Sequence, residues 1–272
     1  MRFSAVKMSY AAGAHFEVTK GTKKQAESYI EKQPPFDEKG EQVICIVRHG
    51  EIKAAQGKRS DLDEIAALLD AGLTPEEIFR QEFRFRRYER MVTAEYMERK
   101  RRGTPVLREI KAHYFVGNSG TGKSHKYVEL CEEYGEDKIY HVTDYLNGGF
   151  DLYRGQPILF LDEFKGNIPY GVLLSILDKY KSQIHARYTN IFALWDEVYI
   201  ASIFPPEALY ALMVPPSLQK SDPIEQFFRR LTDITYCFRD GDSYHRYTQS
   251  MTEYVGYNEL QAEALERTPL SE

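Results

Sequence analysis

The run Gly117-Asn118-Ser119-Gly120-Thr121-Gly122-Lys123-Ser124 spells G-x-x-x-x-G-K-S, and nothing else in the chain restricts its fold as much. Glycines let backbone N–H groups converge on phosphate oxygens, and a helix opening behind the loop adds the positive end of its dipole. Such a loop needs a strand before it and a helix after it. Ala112-His113-Tyr114-Phe115-Val116 reads as the strand, and His125-Lys126-Tyr127-Val128-Glu129-Leu130 as the helix. Gly117, Asn118, Ser119, Gly120, Thr121 and Gly122 then form the cradle for ATP. Lys123 is expected at the β- and γ-phosphates, and the Ser124 hydroxyl on Mg²⁺.

A second motif follows at a compatible distance. Pro157-Ile158-Leu159-Phe160-Leu161-Asp162-Glu163 is an apolar strand that ends in two carboxylates. Ligands of parallel sheets sit at the carboxyl ends of the strands, so a buried strand ending in acids suits a catalytic edge. Asp162 is expected to hold Mg²⁺ through water, and Glu163 to polarise the attacking water. ATP hydrolysis, driven by positioning and charge stabilisation, is the expected chemistry.

Composition narrows the setting. The chain has 272 residues with 42% hydrophobic and 28% charged, ordinary globular usage. No apolar run approaches the ~20 residues needed to cross a bilayer, so no membrane partner is expected. The N-terminal Met1-Arg2-Phe3-Ser4-Ala5-Val6-Lys7 lacks a signal-peptide core of roughly 7–15 apolar residues. Cys45, Cys131 and Cys237 are widely spaced and form no C-x-x-C pair, which fits neither a disulfide framework nor a zinc site. With a net charge of −5, contact with nucleic acid must come from local basic patches.

Four regions separate along the chain. Residues 1–50 read as a short α+β piece, with Val43-Ile44-Cys45-Ile46-Val47 as a β-rich run. Residues 51–105 read as helical. Leu62, Ile65, Leu68 and Leu69 share one face, Gly72 stops that helix, and Thr74-Pro75-Glu76-Glu77 starts the next. Residues 106–240 alternate apolar strands with amphipathic stretches, the pattern of a mostly parallel sheet with crossover helices. Residues 241–272 read as a polar, frayed tail. Between Arg80 and Arg102, arginines interleave with Phe83, Phe85, Tyr88 and Tyr96. That mixture suits phosphate neutralisation and base stacking. It equally suits a solvated helix whose aromatics face inward, with Glu82, Glu89, Glu95 and Glu98 pairing its arginines.

Taken together, these motifs resemble the helicase of Rep proteins, the rolling-circle replication initiators of circular single-stranded DNA viruses and related bacterial plasmids. The aromatic-Asp-x-Tyr-x-Gly segment of that family is matched by Phe150-Asp151-Leu152-Tyr153-Arg154-Gly155. Leu173 through Arg187 matches its apolar helix and basic hairpin, and Tyr199-Ile200-Ala201-Ser202-Ile203-Phe204-Pro205-Pro206 its third motif. Phe227-Phe228-Arg229-Arg230-Leu231 matches its Phe-x-Arg-Arg segment. Over residues 106–240 the resemblance implies a P-loop superfamily 3 helicase domain of AAA+ type, acting on DNA as a homo-oligomeric ring. It implies DNA contacts from Lys179, Lys181, His185 and Arg187. It also implies that Arg229 or Arg230 reaches the γ-phosphate of a neighbouring subunit, the structural alternative being a salt bridge at a helix end.

The match departs from the family at one position. The third motif carries a γ-phosphate-sensing Asn where this chain has Ile203, and isoleucine cannot hydrogen-bond a phosphate or a water. A neighbour such as Ser202 is expected to substitute; the alternative is weakened hydrolysis.

Residues His15 to Lys32 resemble the last motif of the family's nicking domain. The resemblance implies Tyr29 as the nucleophile and Lys32 as its helper. The metal-binding histidines should precede this point, so residues 1–50 are read as the remnant of a truncated HUH-type nickase in which Tyr29 is vestigial and nicking activity is expected to be lost, followed by a helical oligomerisation or linker segment. The competing functions are a decayed nucleic-acid-binding or assembly protein with little ATPase activity, and a related RNA helicase. The implied location is the host nucleus for a eukaryotic virus, or the cytoplasm for a bacterium or plasmid.

Overall fold

The chain divides at Leu73 into two units, Met1–Leu73 and Thr74–Glu272, and the second holds every element that the phosphate-loop pattern requires. The computed structural model describes residues 22–34, 43, 45–46, 60–146, 149–186 and 190–267. Among these residues no helix is long and apolar enough to cross a membrane.

In the first unit, helix α1 (Lys23–Ile30) starts where Thr22 and Gln25 cap each other. The Gln25 N–H donates to Thr22 Oγ1 at 3.3 Å, and the Thr22 N–H donates to Gln25 Oε1 at 2.9 Å. Helix α2 (Ser60–Asp70) is the one read from its leucine and isoleucine spacing, and it buries Ile65 and Leu69. Gly72, at φ 86°, ends it in the left-handed conformation that glycine adopts without a Cβ penalty. The strand expected at Val43–Val47 is not borne out at its described positions. Val43, Cys45 and Ile46 are exposed and belong to no strand. An extended run needs a neighbouring ladder to satisfy its backbone, and no described segment of this unit supplies one.

The second unit begins with α3 (Pro75–Gln81), capped as expected. The Thr74 N–H donates to Glu77 Oε2 at 2.7 Å, and the Glu77 N–H to Thr74 Oγ1 at 3.3 Å. A 3₁₀ turn (Phe83–Tyr88) leads into α4 (Glu89–Gly103). The arginine- and aromatic-rich run follows the plainer of its two readings only in part, since Phe83 is 78% exposed and Tyr88 half-buried. Phe85, Val92 and Tyr96 are buried, while Arg99 pairs with Glu95, and Arg101 and Arg102 with Glu98.

The sheet is six-stranded. Its strands are β1 (Lys111–Val116), β2 (Ile139–Val142), β3 (Ile158–Leu161), β6 (Glu197–Ser202), β7 (Asp233–Asp240) and β8 (Ser243–Ser250), in the order β2-β3-β6-β1-β7-β8. β4 (Gln183–His185) and β5 (Asn190–Phe192) form a separate antiparallel hairpin. The first five strands of the sheet run parallel, and β8 returns antiparallel along β7. Strands buried on both faces read as continuous apolar runs. β3 is buried at every position and β6 from Val198 to Ser202. The connecting helices are α5 (His125–Tyr134), α6 (Tyr170–Ile176), α7 (Pro206–Met213), the short α8 (Glu225–Phe228) and α9 (Tyr257–Arg267). Trp195 anchors one end of the core. Its indole N–H donates to the Ile176 carbonyl at 3.0 Å, with Phe150 stacked on it and Tyr153 edge-on.

The run after Gly241 is not a frayed tail. Most of it builds β8 and α9; α9 buries Leu260, which joins the main core, and Ala264. Polarity misled here because an edge strand and an amphipathic helix each bury only part of their residues. Leu260→Ala should therefore destabilise the protein by about 2–5 kcal/mol in urea unfolding, as buried leucines do. A change within about 0.5 kcal/mol would be the behaviour of an exposed tail.

Candidate nucleotide-binding site

β1 ends at Val116, and Gly117 follows where the β7 backbone passes close by. A Cβ on Gly117 would lie 2.0 Å from the Cys237 carbonyl oxygen, so only a hydrogen fits there. Gly122, at φ 82°, makes the left-handed turn that brings Lys123 and Ser124 to the start of α5. The Asn118 carbonyl closes the loop from within. It accepts from Thr121 Oγ1 at 2.8 Å and from Lys123 Nζ at 2.6 Å. Lys123 is buried, and this desolvation pulls its pKa below the ordinary lysine value, against the attraction of Asp162 and Glu163.

The parallel register carries the acidic pair to the same edge. Ser124 Oγ donates to Asp162 Oδ1 at 2.7 Å, joining the loop to the end of β3. Burial raises the Asp162 pKa, but hydrogen bonds involving His141, Ser124 and the Glu163 N–H outweigh it and hold the carboxyl below its usual range. His141 Nε2 lies 3.3 Å from Asp162 Oδ2, and the Tyr145 O–H donates to the Asp162 carbonyl at 2.6 Å. Glu163 sits at φ 44° with its side chain 79% exposed, Lys165 Nζ lying 3.5 Å away. A left-handed non-glycine residue costs roughly 1–3 kcal/mol and tends to occur at functional sites. A hydroxyl beside an ionised carboxylate is an oxygen donor set suited to a hard divalent cation.

Other expected residues are placed differently. Ser202 does not substitute for the missing sensor. It is fully buried, its hydroxyl donates to the Phe164 carbonyl at 2.6 Å, and it accepts from the Phe204 N–H at 3.1 Å. Its single O–H proton is thus already committed. Phe150 and Tyr153 of the aromatic-Asp-x-Tyr segment pack on Trp195 as core.

Arg230 is held within its own chain. Its Nη2 meets Asp178 Oδ2 at 2.8 Å and its Nη1 donates to the Gln226 carbonyl at 2.6 Å, with the side chain 15% exposed. That corrects the expectation that either arginine could reach a neighbour. Arg229 is exposed, and among the described residues its side chain makes no hydrogen bond or ion pair.

Of the basic hairpin residues, the described ones are placed differently from one another. Lys179 is exposed over the Tyr180 ring, and exposed His185 has Nδ1 3.4 Å from Asn190 Oδ1. Lys181 is a correction. Its Nζ donates to the carbonyls of Arg101 and Thr104 at 2.7 and 2.8 Å, which caps the end of α4. Arg187 lies outside the described residues. In the first unit Lys32 Nζ lies 4.8 Å from the centre of the exposed Tyr29 ring, so that pair is together. His15 lies outside the described residues.

Sequence reasoning missed His141 and Tyr145, which hold Asp162, and Arg246, which donates Nη2 to the Gly122 carbonyl at 3.0 Å and Nη1 to Glu129 Oε1 at 2.6 Å. None belongs to a local motif. Strand register and the β7–β8 return bring them in.

This is an α/β protein with a central, mostly parallel sheet and a glycine-rich loop at the sheet's carboxyl edge. It is a relative of the replication-associated (Rep) proteins of circular single-stranded DNA viruses. It is 28% identical over 191 residues to the replication-associated protein of human associated cyclovirus 1, a match covering 69% of this chain and 63% of that protein. To the proteins of the same name from porcine circoviruses 1 and 2 it is 26% and 25% identical over 241 and 237 residues. Those matches cover 86% of this chain in each case, and 69% and 68% of the relatives. The chain thus spans about two thirds of the curated relatives it matches. No family model matches it. A chain of the S. cerevisiae Hsp104–ADP complex aligns with 54% of this chain at 17% identity and a TM-score of 0.32, too low to bear on the fold.

The two arginines should separate by stability. Arg230→Ala should destabilise the protein by about 1.5–3 kcal/mol, the usual worth of a charged hydrogen bond, while Arg229→Ala should stay within about 0.5 kcal/mol. Asp178 is raised by burial but lowered further by Arg230, so its folded pKa lies below the ordinary 3.8. Its contribution is present above 3.8 and is lost as pH falls through the folded value. Urea unfolding of Arg230→Ala should accordingly show a shallower loss of stability over that acid range.

Proposed function

We propose that this chain is the motor portion of a rolling-circle replication initiator. It is a P-loop ATPase of the superfamily 3, AAA+ type that binds Mg²⁺-ATP at Gly117–Ser124 and uses hydrolysis to move along and unwind DNA. The observation that carries this reading is the 2.7 Å contact between Ser124 Oγ and Asp162 Oδ1, which puts the loop's hydroxyl and the strand-end carboxylate at one point.

In this reading the backbone N–H groups of Asn118 to Ser124 hold the phosphate oxygens. Lys123 exchanges the Asn118 carbonyl for the β- and γ-phosphates, whose charge offsets the burial that depresses its pKa. Ser124 and, through water, Asp162 would hold Mg²⁺, which would supply charge neutralisation during phosphoryl transfer. His141 and Tyr145 keep Asp162 aimed at that point. Exposed Glu163 takes a proton from the attacking water.

Arg229 is the arginine offered to a neighbour's γ-phosphate in a ring, since Arg230 is engaged with Asp178. Lys179, which precedes β4, together with His185 and Arg187, follows the single strand's phosphates. Tyr29 and Lys32 match the family's nicking pair by resemblance, as a vestige without nicking activity of its own. Relatives from circoviruses and a cyclovirus favour the host nucleus as its place of action.

A second reading, a nucleotide-binding protein with little turnover, is favoured by one observation. Ile203 has no polar group and the Ser202 hydroxyl is spent on Phe164.

Lys123→Ala should lower ATP turnover on the order of 100-fold or more, the scale of losing one transition-state donor. Unchanged turnover in the purified variant would remove the site assignment. Turnover measured with and without single-stranded DNA separates the two readings, since a motor is stimulated and a relic is not. Ile203→Asn should raise kcat with little change in nucleotide affinity, because a sensor amide acts in the transition state. A fall in kcat with the fold intact would mean another polar group already fills that role.

A further inference from the structure

The phosphate loop has two flanks. On one side lie β6 and then β3, with Asp162 taking the Ser124 hydroxyl. On the other lies β7, which ends at Asp240 on the same edge, and β8 starts back from there. A triphosphate whose metal-bound end faces Asp162 must direct its ribose and base away from it, toward the β7–β8 turn.

An aromatic ring stands on that side. A methyl carbon built on Gly122 would lie 3.3 Å from Tyr244 Cδ1, so the ring packs directly on the loop glycine. Tyr244 is nevertheless 61% exposed. Its neighbours hold it in place. The Arg239 guanidinium lies 5.5 Å from the ring centre and is itself fixed, with Nε donating to the Gly241 carbonyl at 2.7 Å and Nη2 to Asp242 Oδ1 at 2.6 Å. Arg246, two residues along the same strand face, pins β8 to the loop through the Gly122 carbonyl and Glu129. An aromatic ring fixed beside a phosphate loop, with most of its surface open to water, is suited to stack a planar heterocycle.

We propose that Tyr244 is the platform on which the base of the bound nucleotide stacks, with Arg239 steadying the ring. The assignment rests on reading Gly117–Ser124 as the ATP site. Stacking is felt by substrate and transition state alike, so Tyr244 sets affinity rather than turnover.

The test measures binding of ATP and of inorganic tripolyphosphate, which has no base, to the full chain. Wild type, Tyr244→Ala, Tyr244→Phe and Lys123→Ala are compared. Tyr244→Ala should weaken ATP on the order of tenfold, raise KM and leave kcat nearly unchanged, with tripolyphosphate affinity intact; Tyr244→Phe should behave as wild type. Equal loss of both ligands in Tyr244→Ala would mean that the ring only shapes the loop, and unchanged ATP affinity would mean that it touches no base. Either result overturns the proposal. Lys123→Ala should weaken both ligands; if it weakens neither, the phosphate-loop reading fails and the base platform with it.

Discussion

The shape of the candidate loop depends on the absence of a side chain at residue 117. β1 is held between β6 and β7 in parallel register, and the chain must leave it where the Cys237 carbonyl stands in the way of any Cβ. The loop can therefore turn over β7 only through glycine, and that turn delivers Lys123 and Ser124 to the carboxyl edge of the sheet. Parallel pairing does the rest. Every strand from β2 to β7 ends on that edge, so Asp162 arrives there from β3 without any sequence proximity to the loop.

The charges at this edge are set by unequal burial. Lys123 is buried and its pKa is lowered, so its positive charge is costly until anionic oxygens approach. Asp162 is also partly buried but is kept ionised by the groups around it, and Glu163 is left exposed in a left-handed conformation. The site therefore presents ready-made charge on one side of β1. On the other side, the β7–β8 return supplies aromatic surface and an arginine brace. The hydroxyl that could have replaced the missing third-motif amide is absorbed by the turn that holds Phe164.

Several basic residues that look available in the sequence are used internally. Lys181 caps the end of α4 and Arg230 is paired with Asp178, whereas Lys179 and Arg229, close by in sequence, are exposed. A cation near the final carbonyls of a helix is attracted to them whatever else it could bind. Residue type and spacing carry no information about which carbonyl or carboxylate will be near. The arginines near the end of α4 follow the same logic, since Glu95 and Glu98 lie three or four residues from Arg99, Arg101 and Arg102 on the helix surface.

The sequence by itself determined what local chemistry can specify. The glycine loop between strand and helix, the apolar strand ending in Asp162-Glu163, the Thr74 cap and the stop at Gly72 all depend on residues within a few positions of each other. The alternation of strands and helices was enough for a mostly parallel sheet. Only the tertiary structure decided the strand order, the meeting of Ser124 with Asp162, the loss of Ser202 and Arg230 to internal partners, and the return of residues 243–267 as part of the fold. Those outcomes turn on contacts between residues tens of positions apart. Packing two buried surfaces together selects such contacts, and one strand's composition does not reveal its neighbour.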